Sequence, residues 1–536
     1  MTSKAAAVSE RKSSLASPLL LLFLVATLIR GVVLFASLDS FNDDPDAYLK
    51  LSQNWYSYGV YGDHTTPTAF RPPLYPAALK ALVSIQVRSE RPKKLAISSE
   101  SGAAPDQKRL TPASPRKDSG QDGFFDRNVA LSRNASIALL HWILGVASAL
   151  FVWFYARRVG LSPNQATLAG LFVVLDPILL QQSRLIMTET FAAFFSILLL
   201  LTTVGAVNRR ASRWSAPLYA LTGALYGLAT LCRPAFYAFT CLVFLNLLAI
   251  EGAAIIKTAR GDRAESESSR PPLALLISNG GLRLVCFFAG VAAIAAPWGI
   301  RNYHVFNKPI LTTTHGGYTL YLANNPELYA HYIGTGPMTL WDPTSFHTRR
   351  AEDYDEALKE SGIVKGSPEE ELFQNVWTHS EAIKTIRTNK STFLYSCAMR
   401  VAELWRMVPN DTSALNEQPP VRHEKKIAGI PASELKTYAR YSVGAFYLVE
   451  FALCILGCVV LVYRRRAVRD VEQRQSLLES PLIWGFLLIV SVQIPHLFYW
   501  TNMRMRAPLE IFLPVLAILS VALLKRQKPE TSLQIR

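Results

Sequence analysis

The chain has 536 residues, of which 50% are hydrophobic and only 18% are charged. Soluble domains carry roughly 25% charged residues, whereas here the charges crowd between several long, uncharged apolar runs. A hydrocarbon layer about 30 Å thick requires such runs and a soluble core does not, which excludes a single soluble domain, a fibrous protein and a disordered chain. The formal net charge of +16 is compatible with nucleic acid, an anionic membrane surface or an anionic substrate as partner.

The apolar runs predict an all-α polytopic membrane protein with about ten transmembrane helices. The first run is expected to be an uncleaved anchor rather than a signal peptide, because it is long, contains Arg30 and precedes no A-x-A site. The predicted spans are at about 17–38, 134–156, 164–181, 188–207, 215–232, 235–252, 284–300, 440–462, 482–500 and 507–524.

Lysine and arginine between the spans indicate the orientation. The segments that lie inside if both termini are cytoplasmic hold 22 of them, against four in the short outer turns, so these charges indicate orientation rather than a surface for nucleic acid. We therefore expect a multi-pass membrane protein with both termini in the cytoplasm. The short outer turns hold only Arg184, Arg233, Arg504 and Arg506.

Two long segments are predicted outside the cytoplasm. The first outer loop is expected to contain interfacial helices, one of them at 74–87, which is too short to cross the membrane. Its Ser-, Pro- and Lys-rich part is typical of a flexible insertion. The predicted organisation is a cytoplasmic head (1–16), a membrane core (17–330) with the first outer loop (39–133) and its insertion (88–127), an extracytoplasmic segment (331–439), C-terminal transmembrane helices (440–524) and a cytoplasmic tail (525–536).

Closely spaced acids follow the first span. Asp44 precedes Pro45, which is typical of a helix N-cap, and Asp46 suits the first turn of a helix. The alternative is a carboxylate held at the membrane surface as a general base, which would take a proton from an acceptor hydroxyl or amine. The two interpretations are compatible, because capping fixes the geometry that a base needs.

Five blocks, taken in order, resemble the polytopic glycosyltransferases with the GT-C fold. The close relatives are the bacterial dolichyl-phosphate-mannose protein mannosyltransferase-like proteins and the lipid A aminoarabinose transferases. Each block is short, but together they cluster at the outer ends of spans. They are DPDAY (44–48) with RPPLYP (71–76), SRLIMTET (183–190), LCRP (231–234), PWGIRNY (297–303) with GGY (316–318) and NNP (324–326), and RMRAPLE (504–510).

The resemblance implies an enzyme that takes a sugar from a polyprenyl-phosphate carrier, usually with inversion at the anomeric carbon. It implies a catalytic acid four residues before Tyr48, which is Asp44, with Asp46 as the alternative. A second acid near the third and fourth spans is implied as well, with Glu189 as the candidate ahead of Asp176. The alternative for Asp176, which precedes Pro177, is the cap of a helix break. The bacterial relatives imply the inner membrane as the location. Tyr48, Tyr75 and Asn302 lie in the matched blocks and are expected to contact substrate.

Arginines at the outer span edges are expected to bind the donor phosphate, because the guanidinium fork donates two hydrogen bonds to an anion. The alternative is that they reach lipid headgroups or pair with Glu189, Glu403 or Glu510. The six candidates are Arg71, Arg184, Arg233, Arg301, Arg504 and Arg506.

The sequence thus predicts a membrane glycosyltransferase of the cell envelope, with its active site on the extracytoplasmic face and a protein, lipid or glycan as acceptor. No nucleotide or zinc motif occurs, so no cofactor is expected, although Asp44, Asp46 and a phosphate are together able to hold a divalent cation. The rival hypothesis, a transporter or flippase of a lipid-linked sugar, predicts two similar halves with broken helices, and the sequence shows no such symmetry. Neither the sugar nor the acceptor follows from the sequence.

Overall fold

The computed structural model describes residues 2–85, 122–262, 279–336, 339–410, 426–427, 430–466 and 477–525. Most of the predicted insertion at 88–127 and nearly all of the predicted tail at 525–536 lie outside these residues. The predicted head at 1–16 is, from its second residue onward, the beginning of the first helix.

Within the described residues the chain is almost entirely helical. Two short antiparallel pairs accompany the helices, β1 (Gly62–Asp63) with β2 (Thr66–Pro67) and β3 (Lys426–Ile427) with β4 (Ile430–Pro431). The helices are α1 (Thr2–Phe35), α2 (Tyr48–Tyr58), α3 (Leu74–Ile85), α4 (Asp122–Arg158), α5 (Pro163–Leu175), α6 (Pro177–Gln182), α7 (Glu189–Asn208), α8 (Ser215–Cys232), α9 (Phe236–Asp262), α10 (Asn279–Phe306), α11 (Gly316–Ala323), α12 (Pro326–Gly334), α13 (Thr344–Ser361), α14 (Pro368–Thr388), α15 (Lys390–Leu404), α16 (Ala432–Arg466), α17 (Pro481–His496) and α18 (Leu513–Lys525).

Six helices in the described part of the chain are long and apolar enough to cross a membrane. This confirms the predicted class, an all-α integral membrane protein with several spans. The six segments are Ser17–Phe35, Ala130–Arg158, Glu189–Asn208, Phe236–Ala254, Gly280–Phe306 and Ser433–Tyr463.

The other four predicted spans differ from expectation, so the count of ten is not established. The span predicted at 164–181 is wrong as a single helix, because Asp176 and Pro177 separate α5 from α6. Asp176 accepts the N–H of Leu179 at 2.7 Å and so caps α6. The span predicted at 482–500 corresponds to α17, which ends at His496. The span predicted at 507–524 is an α-helix only from Leu513 onward, as α18. The fourth, α8, has 18 residues and is not among the six long apolar segments.

Close helix packing places α7 at the centre of the bundle, since it is the most buried of the six candidate spans. The neighbouring pair α8 and α10 meets at glycines. A Cβ at Gly223 would stand 1.9 Å from the carbonyl oxygen of Phe287, and one at Gly290 would stand 2.1 Å from that of Ala220. Small residues thus allow the two backbones to touch, as is common between helices in membranes.

Helices α11 to α15 share a second hydrophobic core. It contains Leu320 and Tyr321 from α11 and Leu328 from α12, together with Phe346 from α13 and Ala382 from α14. The residues on both sides of the predicted boundary at 330 therefore pack together. The boundary itself stays a prediction.

Candidate active site

The acidic loop after α1 leads directly into α2. Ala47 adopts a left-handed conformation (φ 58°) as the residue before that helix. Asp44 lies three residues earlier, yet its Oδ2 still accepts the N–H of Lys50 at 3.0 Å in the first turn of α2. The second oxygen of Asp44 is buried and has no hydrogen-bond donor among the described residues. Burial raises the pKa of Asp44, and the backbone N–H groups at the helix start offset part of that rise.

Asp46 is held by an arginine of the same outer loop. Its Oδ1 accepts Nη2 of Arg71 at 2.8 Å, and both side chains are largely shielded from solvent. The Arg71 guanidinium also lies 5.5 Å from the ring centre of Tyr48 and 5.2 Å from that of Phe70. The aromatic rings and the carboxylate fix this cation in place, because each of them attracts a guanidinium.

Glu189 is the second acid of the site. It is the first residue of α7 and only 2% exposed. Its Oε1 lies 3.7 Å from Nη2 of Arg233 and 3.8 Å from Nε of Arg504. Its other oxygen is buried with no donor in the described part of the chain. One carboxylate thus stands between two guanidinium groups, which leaves this cluster with one net positive charge.

A cavity of about 820 Å³ brings these groups together. Its volume lies within the range of typical ligand sites, about 300–1,000 Å³. Among the residues predicted from the sequence, six form its wall: Asp46, Tyr48, Arg71, Glu189, Arg233 and Arg504. Asp44 is not part of the wall, but Pro45 next to it is.

Several wall residues were missed by the sequence interpretation. Arg350 on α13 and Gln374 on α14 come from the extracytoplasmic segment, which contained no family block and therefore gave no signal. His315 and Trp500 also line the cavity. His315 directly precedes the matched GGY block, so its position was a usable signal.

His315 is a neutral member of this wall. Its ring lies 4.3 Å from that of Phe70, centre to centre, and its Nδ1 is buried with no partner among the described residues. Burial lowers the pKa of His315 to about 3, and the positive charge of Arg71 acts in the same direction. The imidazole therefore adds no charge to the cavity near neutral pH.

The cavity wall has more cationic than anionic side chains. Asp46 and Glu189 face four guanidinium groups, because Arg350 joins the three predicted arginines. Arg350 has no ion pair in the described part of the chain, and its guanidinium lies 5.2 Å from the ring centre of Tyr318. The surplus positive charge favours an anionic ligand.

Three of the predicted arginines lie elsewhere. The side chain of Arg184 is exposed and is not part of the wall. Arg301 donates to the carbonyl oxygens of Thr68 at 2.7 Å and Tyr61 at 3.0 Å, so it supports the backbone of the first outer loop. Arg506 is fully buried and forms an ion pair with Glu510, which agrees with the pairing alternative for this arginine.

Two of the predicted substrate contacts also lie off the cavity wall. The hydroxyl of Tyr75 is 3.0 Å from Nε2 of His141 in the core of the bundle. The side-chain amide of Asn302 donates to the carbonyl oxygen of Ile310 at 3.0 Å. Tyr75 therefore contributes to the core, and Asn302 supports the backbone near Ile310. Contact of either residue with substrate stays a prediction.

Glu371 on α14 ties the extracytoplasmic segment to the first outer loop. One oxygen accepts the N–H of Ala69 at 2.8 Å and the hydroxyl of Thr314, and the other accepts the hydroxyl of Thr68 at 2.6 Å. These bonds join three segments that meet beside Phe70, which is part of the cavity wall.

Replacing Glu371 with alanine should loosen this junction. Hydrogen bonds to a charged group are worth about 1.5–3 kcal/mol each, so we expect Glu371→Ala to lower the melting temperature and to expose the first outer loop to protease. Glu369→Ala is the matched control, since Glu369 is an exposed acid on the same helix. Equal melting temperatures for the two variants would show that the junction contributes nothing.

Comparison with known proteins finds a family model that matches part of the chain. Residues 122–257 match the family model described as "Dolichyl-phosphate-mannose-protein mannosyltransferase". This match agrees with the family resemblance of the sequence blocks. It covers about a quarter of the chain and includes α4 to α8 and the acid Glu189. Members of that family are glycosyltransferases with a lipid-phosphate sugar donor, which is the enzyme class that the sequence blocks predict.

Two solved structures are similar to this chain over 94% of its residues. One is the archaeal oligosaccharyltransferase AglB from Archaeoglobus fulgidus in complex with an inhibitory peptide and a dolichol-phosphate, at 14% identity and a TM-score of 0.45. The other is a crystal structure of the Archaeoglobus fulgidus oligosaccharyltransferase in complex with Zn and sulfate, also at 14% identity and a TM-score of 0.45. The chain spans about half the length of these proteins, 50% and 49%. No curated protein matches the sequence significantly.

Proposed function

We propose that the protein transfers a sugar from a polyprenyl-phosphate carrier to an acceptor outside the cytoplasm, with inversion at the anomeric carbon. This proposal rests on one observation: Asp46, Glu189 and the arginines Arg71, Arg233 and Arg504 line the same cavity. Glu189 begins α7 and Arg233 directly follows α8, and a lipid-linked phosphate would present its charge at such helix ends. The family match supports the same chemistry.

Arg233 and Arg504 are proposed to hold the donor phosphate. They share Glu189, so one positive charge is left to balance the single negative charge of a sugar phosphodiester. When the glycosidic bond breaks, the departing lipid phosphate gains a second negative charge. Fixed donors aimed at that developing charge lower the barrier, because they need no reorganisation during the reaction.

Asp44 is proposed as the general base and Asp46 as the residue that positions Arg71. One carboxyl oxygen of Asp46 is already engaged by Arg71. Asp44 has one oxygen without a donor and a pKa raised by burial, which brings it closer to neutral pH. The acceptor hydroxyl or amine would lose its proton to Asp44 as it attacks the anomeric carbon. A divalent cation bound there would need the substrate phosphate as an additional ligand, because these two acids offer few oxygens.

His315 should not contribute to the pH profile. Because the pKa of His315 is about 3, its imidazole is neutral across the range in which a membrane enzyme is assayed. We therefore expect His315→Gln to leave the acid limb of kcat/KM where it is in the unaltered enzyme. An acid limb that moves or disappears in this variant, measured from pH 4 to 9, would assign the titration to His315.

The remaining features belong to the same proposal. We infer a GT-C-like bundle in which the shorter helices α5, α8, α17 and α18 also lie in the membrane, with both termini in the cytoplasm and the cavity on the opposite face. The membrane would be the inner membrane of a bacterium. The acceptor would be a protein, a lipid or an envelope glycan that approaches between the first outer loop and α11 to α15.

Mass spectrometry of envelope glycans and glycolipids from a strain that lacks the gene tests this proposal. A missing sugar that returns with the intact gene, and does not return with Glu189→Gln, would support transfer and would name donor and acceptor together. Accumulation of an unchanged lipid-linked sugar on the cytoplasmic face, measured in inverted vesicles, would instead indicate a flippase.

A further inference from the structure

Three acidic side chains meet inside the membrane bundle, outside the wall of the cavity. They are Asp176 at the break between α5 and α6, Glu450 on α16 and Glu510 in the turn before α18. One carboxyl oxygen from each lies within 4.8 Å of the others. Their exposed fractions are 1%, 0% and 0%, respectively. We call these residues the acidic trio.

The three carboxyl groups differ in what they bind. Asp176 accepts two hydrogen bonds, from a backbone N–H at the start of α6 and from the hydroxyl of Tyr447 at 3.1 Å. Glu510 forms an ion pair with Arg506 through one oxygen. In the described part of the chain, no N–H or O–H group reaches either oxygen of Glu450 or the second oxygen of Glu510. One oxygen of Glu450 nevertheless lies within 4.8 Å of one oxygen of Glu510.

The charges of the trio do not balance. Three ionised carboxylates would face the guanidinium of Arg506, with Arg30 of α1 attracted to Asp176 from a greater distance. The other titratable neighbours, Tyr447 and Cys454, add no positive charge. An unpaired negative charge is very costly in a hydrophobic interior. Something must therefore neutralise at least one of the carboxylates.

We propose that the acidic trio is a proton-binding site, in which Glu450 carries a proton and donates a hydrogen bond to the ionised Glu510. A protonated carboxylic acid has one O–H donor, which is the donor that these two carboxyl groups lack. Glu510 then stays ionised and accepts from both Glu450 and Arg506. One bound proton satisfies the unpartnered oxygen of Glu510 and removes a buried negative charge at the same time.

The set of available oxygens favours a proton over a divalent metal ion. Both oxygens of Asp176 and one oxygen of Glu510 already accept hydrogen bonds. Only three carboxyl oxygens remain, whereas Ca²⁺ takes about six to eight oxygen ligands and Mg²⁺ requires an octahedral set. The adjacent guanidinium of Arg506 would also repel a dication.

The site supports the turn that reaches the cavity. Arg504 and Arg506 lie in the same short 3₁₀ helix, Met503–Arg506. Arg506 points to the trio and also donates to the carbonyl oxygens of Leu404 at 2.8 Å and Arg406 at 2.9 Å, while Arg504 lines the cavity. If Glu450 is neutral, Glu510 can stay ionised and hold Arg506. Glu510 then fixes the turn that also carries Arg504. This inference holds whether or not the protein is a glycosyltransferase.

Substitution of Glu450 with glutamine tests the proposal, because glutamine resembles a protonated glutamic acid in shape and can donate to Glu510. We expect the apparent melting temperature of the purified full-length Glu450→Gln variant to stay within about 2 °C of the unaltered protein. Glu450→Ala, which loses the donor and leaves a gap, should melt several degrees lower.

Glu251 provides a matched control, because it is also 0% exposed but has donors. It accepts Nε of Arg283 at 3.0 Å and the hydroxyl of Tyr219 at 2.8 Å. It also forms an ion pair with Arg283, so Glu251→Gln should melt several degrees lower, unlike Glu450→Gln. The infrared band of a protonated carboxylic acid at neutral pH should be weaker in Glu450→Gln than in the unaltered protein and unchanged in Glu251→Gln.

Three results would overturn the proton site. One is a melting temperature of Glu450→Gln as low as that of Glu251→Gln. Another is an infrared spectrum at neutral pH that does not change on Glu450→Gln. The third is a rise in the melting temperature of the unaltered protein with added Mg²⁺, Ca²⁺ or Zn²⁺ that Glu450→Gln abolishes, which would show a metal ion in place of the proton.

Discussion

Asp44→Asn should reduce the rate of sugar transfer about 10²–10⁴-fold, the usual contribution of a general base. Asparagine keeps the shape of the side chain and can still accept the N–H of Lys50, so the start of α2 should be preserved. The loss should therefore appear in kcat rather than in the amount of folded protein. Initial rates of the purified enzyme with a polyprenyl-phosphate sugar, together with gel-filtration profiles, measure both.

Asp44 should also set the acid limb of the pH profile. Burial raises its pKa, so a base at this position loses activity as the pH falls through a value above that of an ordinary aspartate. The enzyme should be most active above that pKa, and the limb should be absent from the residual activity of Asp44→Asn. An unaltered limb in this variant would contradict the assignment.

Two further variants separate the roles of the neighbouring acids. Asp46→Asn should raise the KM for the donor more than it lowers kcat, because Arg71 loses its carboxylate partner. Asp63→Asn is the control, since Asp63 is 60% exposed on the outer hairpin and should change nothing. If Asp46→Asn abolished turnover and Asp44→Asn kept it, Asp46 would be the base.

Loss of the arginines beside Glu189 should have the second largest effect. Removing one preorganised donor to a developing anion costs about 10²–10³ in kcat, so we expect at least 10²-fold for Arg233→Gln or Arg504→Gln. The effects of the two should not add, because both guanidinium groups share one carboxylate. Rates with a polyprenyl-phosphate sugar in proteoliposomes measure this loss.

Stability has to be controlled in this experiment. Each variant removes one of the two guanidinium groups beside Glu189, and the other remains as its partner, so the amount of folded protein should change little. Melting temperatures and gel-filtration profiles of each variant check this. Arg184→Gln is the matched control: Arg184 is exposed and lies off the cavity wall. If that control lost as much activity as Arg233→Gln, the cavity would not be the donor site.

The sequence alone predicted the membrane class and most of the charged residues in the cavity. This was feasible because the acids and arginines fall in short blocks at span ends, where chain connectivity alone limits their positions. Six of the predicted residues, including Glu189 and Arg233, meet in one cavity. The break at Asp176 was foreseen as a helix cap, and its bond to Leu179 agrees with that interpretation.

Other features depend on tertiary packing that no local pattern contains. Arg504 and Arg506 are two residues apart in sequence, yet the 3₁₀ turn sends the first to the cavity and the second to Glu510. Arg350 joins the cavity from α13, through the packing of a segment with no recognisable block. The number of transmembrane helices could not be predicted from the sequence either, because an apolar run does not show where a helix ends and a turn begins.

The most direct test of the account is sugar transfer by the purified full-length protein in sealed proteoliposomes. A labelled polyprenyl-phosphate sugar and an envelope extract as acceptor would be supplied on the outer side, with Asp44→Asn as the inactive control. The account predicts that the label moves to an extract component and that free polyprenyl phosphate appears, and that both are lost in the variant. Label that crosses the bilayer still attached to its lipid, with no polyprenyl phosphate formed, would contradict it.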